Sequence, residues 1–260
     1  MPFEVRNLSY ESGGRPVLRD VSFRVDAGER LVVLGVNGCG KTTLLRLLDG
    51  LVTPTAGEVR WRGERVDASA LEDATFRRNF RAEVGLLFQN VDAMLFNPTV
   101  EDEIAFGPRQ LGLPDPQVRA ERWARTFMVE TLLDRAPFEL SGGEKKRVAL
   151  AAIFAVGPRV VLLDEATANL DPASSAALVD FLSSRRDLTV ITATHNLSVA
   201  AELGARALLL APGRAGLLFD GPTEELLASE SLLVESGLAH RHAHRHGGAV
   251  HAHFHVHDAD

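Results

Sequence analysis

The run Gly35-Val36-Asn37-Gly38-Cys39-Gly40-Lys41-Thr42-Thr43 has the residue types and spacing to hold phosphate. Its glycines let consecutive backbone N–H groups turn inward around anionic oxygens, in conformations that side chains would block. A helix starting at the end of the run points its positive end at the same anion. Lys41 has the reach for β- and γ-phosphate oxygens, and Thr42 offers a hydroxyl to Mg²⁺, so the run reads as a nucleoside triphosphate site. The plain alternative is a glycine-rich turn that happens to precede a lysine. The apolar Leu31–Leu34 before the run and the helical pattern Thr43–Leu51 after it argue against that.

A second set of groups lies further on. Asp164 and Glu165 close the apolar run Val160–Leu163, and the carboxyl end of a parallel strand is where α/β sheets place ligand chemistry. Asp164 is expected to hold Mg²⁺ through water, and Glu165 to polarise an attacking water as general base. Taken alone, the Asp could equally cap the next helix. Between the two sets, Leu140-Ser141-Gly142-Gly143-Glu144 opens an apolar helix, Lys145–Val156. By itself that is only a good helix start.

The elements that must position these groups are legible in outline. Phe3–Val25 alternates as short strands broken by the turn-like Glu11–Pro16, and Glu58–Arg65 reads as an edge hairpin turning at Gly63. Leu31–Leu34 and Val160–Leu163 are continuous apolar runs of the kind central parallel strands show. Thr189–Ala193 and Ala207–Leu210 look like two more strands, and helices fit Pro172–Ser183, Leu197–Leu203 and Thr223–Ser229. From about Val91 to Val156 the texture turns helical, with turns at Asn97-Pro98, Gly107-Pro108 and Leu113–Pro116. There is no internal repeat.

Bulk properties bound the function. The 260 residues carry a net charge of −7, 45% hydrophobic and 24% charged residues, an ordinary globular composition. The acidic balance lacks the basic stripe of a nucleic-acid partner. The one cysteine, Cys39, rules out an intramolecular disulfide and fits a reducing compartment. Met1–Tyr10 is not expected to be a secretion signal. Val148–Val156, the longest apolar stretch, falls well short of the roughly 20 residues a membrane helix needs, so any channel must come from other chains.

With the phosphate loop, the Leu140–Glu144 run and Asp164-Glu165 in this order, the stretch from about Phe3 to Leu233 resembles the ATP-binding subunits of ABC transporters. The resemblance implies an α/β fold: a P-loop NTPase (RecA-like) core with an antiparallel β subdomain and an inserted helical signature subdomain. The expected boundaries are an ATPase domain at 1–238, with core 1–90 and 157–238 and helical insert 91–156, then a tail at 239–260. Further roles follow by matching position. Tyr10 stands where the family stacks an aromatic ring on adenine. Gln89 matches the glutamine that touches Mg²⁺ and the attacking water, and His195 the switch histidine that contacts the γ-phosphate. Asn169-Leu170-Asp171 matches the loop that crosses the dimer interface. Ser141, Gly142, Gly143 and Glu144 match the signature that completes the site of a second subunit in a head-to-tail dimer. The chain departs from the family at Ala166, where proline is common, and at Cys39, where serine or alanine is common.

The stretch from Phe88-Gln89-Asn90 through Leu95–Pro108 is similar to the ATPases of energy-coupling-factor importers, especially the cobalt and nickel branch. This implies a peripheral protein at the cytoplasmic face of the membrane. Its partners are a second ATPase subunit, a transmembrane coupling subunit and a substrate-binding membrane subunit. A vitamin importer, or a soluble ABC ATPase outside transport, are the alternatives. The tail supplies His240, His242, His244, His246, His251, His253, His255 and His257, eight of the nine histidines. It is expected to be disordered and to bind Ni, Co or Zn through neutral imidazole. A polar tail with incidental histidines is the alternative.

Overall fold

The computed structural model describes residues 2–211, 216–246 and 249–256. In chain order the elements are β1 (Phe3–Ser12), β2 (Arg15–Val25), β3 (Arg30–Leu34), α1 (Lys41–Leu48), β4 (Ala56–Trp61) and β5 (Glu64–Arg65). Next come α2 (Ala68–Glu72), α3 (Ala74–Glu83), β6 (Val84–Leu87), α4 (Val100–Gln110), α5 (Pro116–Thr126), α6 (Gly142–Val156), β7 (Val160–Asp164) and α7 (Pro172–Ser184). The chain continues through β8 (Thr189–Thr194), α8 (Ala200–Leu203), β9 (Arg206–Leu210), β10 (Leu217–Pro222), α9 (Thr223–Ala228), α10 (Glu230–Glu235), β11 (Ala239–His246) and β12 (Ala249–Val256).

The chain divides into two compact units, Met1–Val66 with Val190–Asp260, and Asp67–Thr189. The helical stretch 91–156 falls inside the second unit. Texture along the chain follows local periodicity, whereas compactness follows long-range packing, so the expected boundaries at 91 and 156 and the observed division differ.

In the first unit, β1 pairs antiparallel with β2 and β4, and β5 extends the sheet beyond β4. Phe3, Val5, Leu8, Leu18, Val21 and Val25 are buried, the inward half of the alternation that marks these strands. A second set of strands runs β10, β9, β3, β8, with β3 parallel to both β8 and β9. Leu31–Leu34 and Val190–Ala193 are essentially fully buried, as central parallel strands are. Arg206 fixes the start of β9 to Asp220 on β10 by two hydrogen bonds of 2.6 and 2.7 Å, and to Glu29 at 2.9 Å.

In the second unit, β6 and β7 pair in parallel from Val84↔Val160 to Leu87↔Leu163. α6 buries Val148, Ala149, Leu150, Ala151, Phe154 and Ala155. A helix this apolar around its circumference must be covered on most sides, and α4 and α5 pack on it. Trp123, Phe127, Phe154 and Phe181 form an aromatic cluster with neighbouring ring centroids 5.0 to 6.1 Å apart. Gly157, at φ 86, ends α6 in the left-handed turn that favours glycine.

Four features go beyond the sequence expectations. α3 is a charged helix whose inward face is only Phe76 and Phe80, stacked at 5.8 Å, too sparse a stripe to read as periodic. β10 borrows its definition from β9, and α10 follows α9 after a break at Ser229. In the histidine-rich tail, the backbones of β11 and β12 pair antiparallel. Its period-two alternation is a strand pattern.

Candidate nucleotide site

The phosphate loop leaves the carboxyl end of β3, with Gly35 next after Leu34. β8 ends level with it, because Leu34 pairs with Thr194. His195 therefore emerges beside the loop's first residue from the adjacent parallel strand. The loop's tightness has a measurable cause. A Cβ on Gly35 would stand 2.5 Å from Cys39 Sγ and 2.6 Å from the Leu210 carbonyl oxygen. Gly40 has φ 109, open to glycine alone, and a Cβ there would meet Leu18 Cδ2 at 2.9 Å. Asn37 and Gly38 are exposed at the apex.

Gly40 is the N-cap of α1, and no side chain caps that helix. Lys41 is buried, with Nζ donating to the Gly35 carbonyl at 2.7 Å and the Val36 carbonyl at 3.3 Å. The ammonium is thus folded along the inside of the loop. Thr42 and Thr43 are half-buried, and Cys39 is a small buried side chain. Tyr10 is half-exposed on β1, opposite Leu18. Because Leu18 abuts Gly40, the strand register brings Tyr10 to the edge of the loop.

In the second unit, β7 delivers Asp164 and Glu165, both nearly fully buried. Glu165 has φ 52 and Asn169 φ 62, left-handed conformations that cost non-glycine residues energy and persist only where the surroundings enforce them. Lys146 of α6 reaches into this segment. Its Nζ donates to the Glu165 carbonyl at 2.8 Å and to the Ala168 carbonyl. Burial pushes its ammonium below the ordinary lysine range, with the Glu165 and Asp164 carboxylates opposing the shift.

The same helix carries the Ser141–Glu144 run at its N-terminus. Ser141 caps it in a full capping box: Glu144 N–H donates to Ser141 Oγ at 3.4 Å, and Ser141 N–H donates to Glu144 Oε2 at 2.8 Å. The Ser141 hydroxyl also donates to Glu144 Oε2 at 2.7 Å and holds that carboxyl below its usual range. Ser141 and Gly142 are exposed. Gly143 lies near the Asn169 carbonyl, 3.6 Å from where its Cβ would be. Asp171 caps α7, accepting from Ser174 N–H at 2.9 Å and from the Ser174 hydroxyl at 2.5 Å, which holds its carboxyl low.

Gln89 follows β6 and is exposed. The loop after it is tied down twice. Lys145 pairs with Asp92 at 2.7 Å, and the buried Glu103 carboxylate accepts from Phe96 N–H at 2.8 Å and Asn97 N–H at 2.7 Å. Phe96 and Phe106 meet edge to face at 5.0 Å and remain partly exposed. Sequence reasoning gave Lys145, Lys146 and Glu103 no role of their own. Lys146 stood only as one of several charged residues in the first turns of the helix after Leu140-Ser141. Tail residues His240, His242, His244, His246, His251, His253 and His255 lie on the hairpin strands, and His257 lies outside the described residues.

Among the described residues, no helix is long and apolar enough to cross a membrane. Residues 18–168 match the family model described as ABC transporter. The chain is 40% identical to an energy-coupling factor transporter ATP-binding protein, EcfA, of Methanothermobacter thermautotrophicus, over 90% of this chain and 75% of that one. It is also 40% identical to a nickel import ATP-binding protein, NikO, of Rhodobacter capsulatus, over 91% of this chain and 95% of that one. A solved structure of CbiO1 from Clostridium perfringens, part of the ABC transporter complex CbiONQ, superposes with a TM-score of 0.75 at 26% identity, covering 91% of this chain and 94% of that chain. The chain, a mixed α/β ATPase with an uncapped phosphate-loop helix and a capped signature helix, belongs to the ABC transporter family.

Proposed function

We propose that this chain hydrolyses ATP to power a membrane importer of the energy-coupling-factor type, carrying nickel or cobalt. The observation that carries the ATP reading is the loop of Gly35–Thr43, tightened by close contacts at Gly35 and opening onto a helix with no side-chain cap. The names of the relatives, an energy-coupling factor ATPase and a nickel import ATPase, support the transport reading.

In this reading Tyr10 stacks on adenine, the loop amides and Lys41 hold the phosphates, Glu165 polarises the attacking water, and His195 contacts the γ-phosphate. Thr42, Gln89 and Asp164 offer hydroxyl, amide and carboxylate oxygens, a hard donor set that fits Mg²⁺. Bound with ATP, that ion would neutralise charge on the β- and γ-phosphates. Ser141, Gly142, Gly143 and Glu144 serve the site of a second ATPase subunit, with Asp171 at the interface between the two. The pair docks on a transmembrane coupling subunit and a substrate-binding subunit at the cytoplasmic face. The loop Phe96–Asn97, held by Glu103, is the contact segment we assign to the membrane partner.

Glu165→Gln tests the assignment. The variant should bind ATP and accumulate as an ATP-bound dimer in size-exclusion chromatography, with turnover lower by ~10²–10⁴. Wild-type turnover would remove Glu165 from the base role.

We propose also that the tail binds a transition-metal ion. The hairpin register sets His240 opposite His255, His242 opposite His253 and His244 opposite His251, so these six residues share one face of the ribbon. Imidazole suits Ni, Co and Zn. Calorimetric titration of the whole protein with Ni²⁺ and Co²⁺ should show tight binding that His242→Gln with His253→Gln removes. Binding no stronger than to free imidazole, or unaltered in the double variant, rejects it.

A further inference from the structure

We propose that Lys146 is a positioning residue, through which the signature helix sets the backbone that carries Glu165; this rests on the proposed role of Glu165 as base. Lys146 lies on α6, five residues after the helix cap Ser141, and is 2% exposed. Its ammonium spans the loop behind β7, donating to the carbonyls of Glu165 and Ala168. These carbonyls belong to the segment that holds two left-handed residues, Glu165 at φ 52 and Asn169 at φ 62. Such backbone is costly for a residue other than glycine and does not persist unaided. Within the loop itself, Ala168 N–H donates to the Glu165 carbonyl at 3.2 Å, so one oxygen receives both the local turn bond and the lysine.

A buried ammonium is a poor choice for stability. Its desolvation is costly, and an apolar side chain of similar volume usually serves a core as well or better. What lysine supplies here, and methionine would not, is a rigid hydrogen-bonded link from a helix to two carbonyls 19 and 22 residues away in sequence. The other end of that helix is the exposed Ser141–Gly143 surface. Displacement of α6 at its signature end is therefore passed to the Glu165 carbonyl, and with it to the direction of the carboxylate.

The test compares steady-state ATPase kinetics and thermal unfolding of Lys146→Met and Lys146→Gln in the full chain. The methionine variant should keep its melting temperature and its KM for ATP within about twofold. Its kcat should fall by about tenfold or more, part of the ~10²–10⁴ a general base contributes. The glutamine variant, which keeps amide donors for the two carbonyls, should recover much of that loss. In the Glu165→Gln background, adding Lys146→Met should change the residual rate by less than about twofold, because groups acting through one another are not additive. Wild-type kcat in the methionine variant, a loss that follows KM, or no recovery with glutamine overturns the proposal. So does a methionine variant that fails to fold, since Lys146 would then hold the fold itself. In that case the glutamine variant reports separately: a melting temperature lowered in step with kcat confirms a purely structural role. Wild-type turnover of Glu165→Gln alone would instead defeat the base assignment, and is read independently of any Lys146 variant.

Discussion

Two helices here carry glycines at their starts, Gly40 just before α1 and Gly142–Gly143 in the first turn of α6, and they treat their first amides in opposite ways. α1 starts from Gly40 at φ 109 with no side-chain cap, and its first residue is the buried Lys41. α6 starts from Ser141 in extended conformation, and Ser141 and Glu144 satisfy each other's N–H groups. An end left to the backbone and one lysine suits an anion that arrives from outside. An end closed by its own side chains is formed before any ligand meets it and presents a small, exposed, preset surface. The first end suits capture of phosphate. The second suits completing a site whose nucleotide is held elsewhere, and its helix leads within five residues to Lys146 and the Glu165 loop.

The largest effect that could break this contrast is at Lys41. Lys41→Ala should lower ATP turnover by ~10²–10³, the scale for removing one preorganised electrostatic donor, and weaken binding of a fluorescent ATP analogue. Near-normal turnover would mean that α1 is not the phosphate end. Next comes a pair of glycine substitutions. Gly35→Ala places a Cβ 2.6 Å from the Leu210 carbonyl, a backbone atom that cannot step aside. It should cost about 1–3 kcal/mol, a melting temperature lower by a few degrees to about 10 °C. Gly142→Ala meets nothing within 4 Å and should leave the melting temperature unchanged or slightly higher. Equal losses at both positions would erase the distinction between a tight loop and an open helix end.

The smallest effect concerns the cap itself. Ser141→Ala should destabilise the protein by about 1 kcal/mol, read by denaturant unfolding. Glu144 and Asp171 both titrate below their ordinary ranges when folded, through the hydroxyls of Ser141 and Ser174. A depressed carboxyl contributes stability that is complete above its unfolded-state value, near 4, and is lost as pH falls through the folded one. The stability these two carboxyls contribute should therefore be flat above about pH 6 and decline below about pH 4. The decline should be shallower in Ser141→Ala, because Glu144 then loses part of its reason to stay ionised. An identical acid profile in the variant would show that the cap does not set the titration.

How far the sequence could be read depended on the range of the forces involved. The phosphate loop was legible because its demands are local: glycine where φ is positive, a strand before and a helix after, all within a few residues. Val160–Asp164 was legible because a buried parallel strand has no polar face to hide. The strand pairs around Gly13–Gly14 and Gly63 followed from turn chemistry. α3 was not legible, since its two inward phenylalanines satisfy a helix face only once packing is known. β10 was missed for the same reason, because its definition comes from β9.

The lysine pair after the signature marks the boundary most sharply. Lys145 and Lys146 are adjacent, chemically identical, and set about 100° apart around one helix. Nothing in the sequence says that one reaches out to Asp92 and the other inward to the carbonyls of Glu165 and Ala168. By itself the sequence determined which chemistry is present: a phosphate loop, an acidic strand end, a glycine-led helix start and a run of imidazoles. The tertiary structure decided which of two equal cations is buried and what it holds. Burial is set by the whole surface packed against a helix, and bonds spanning about twenty residues exist only once the chain has folded back on itself.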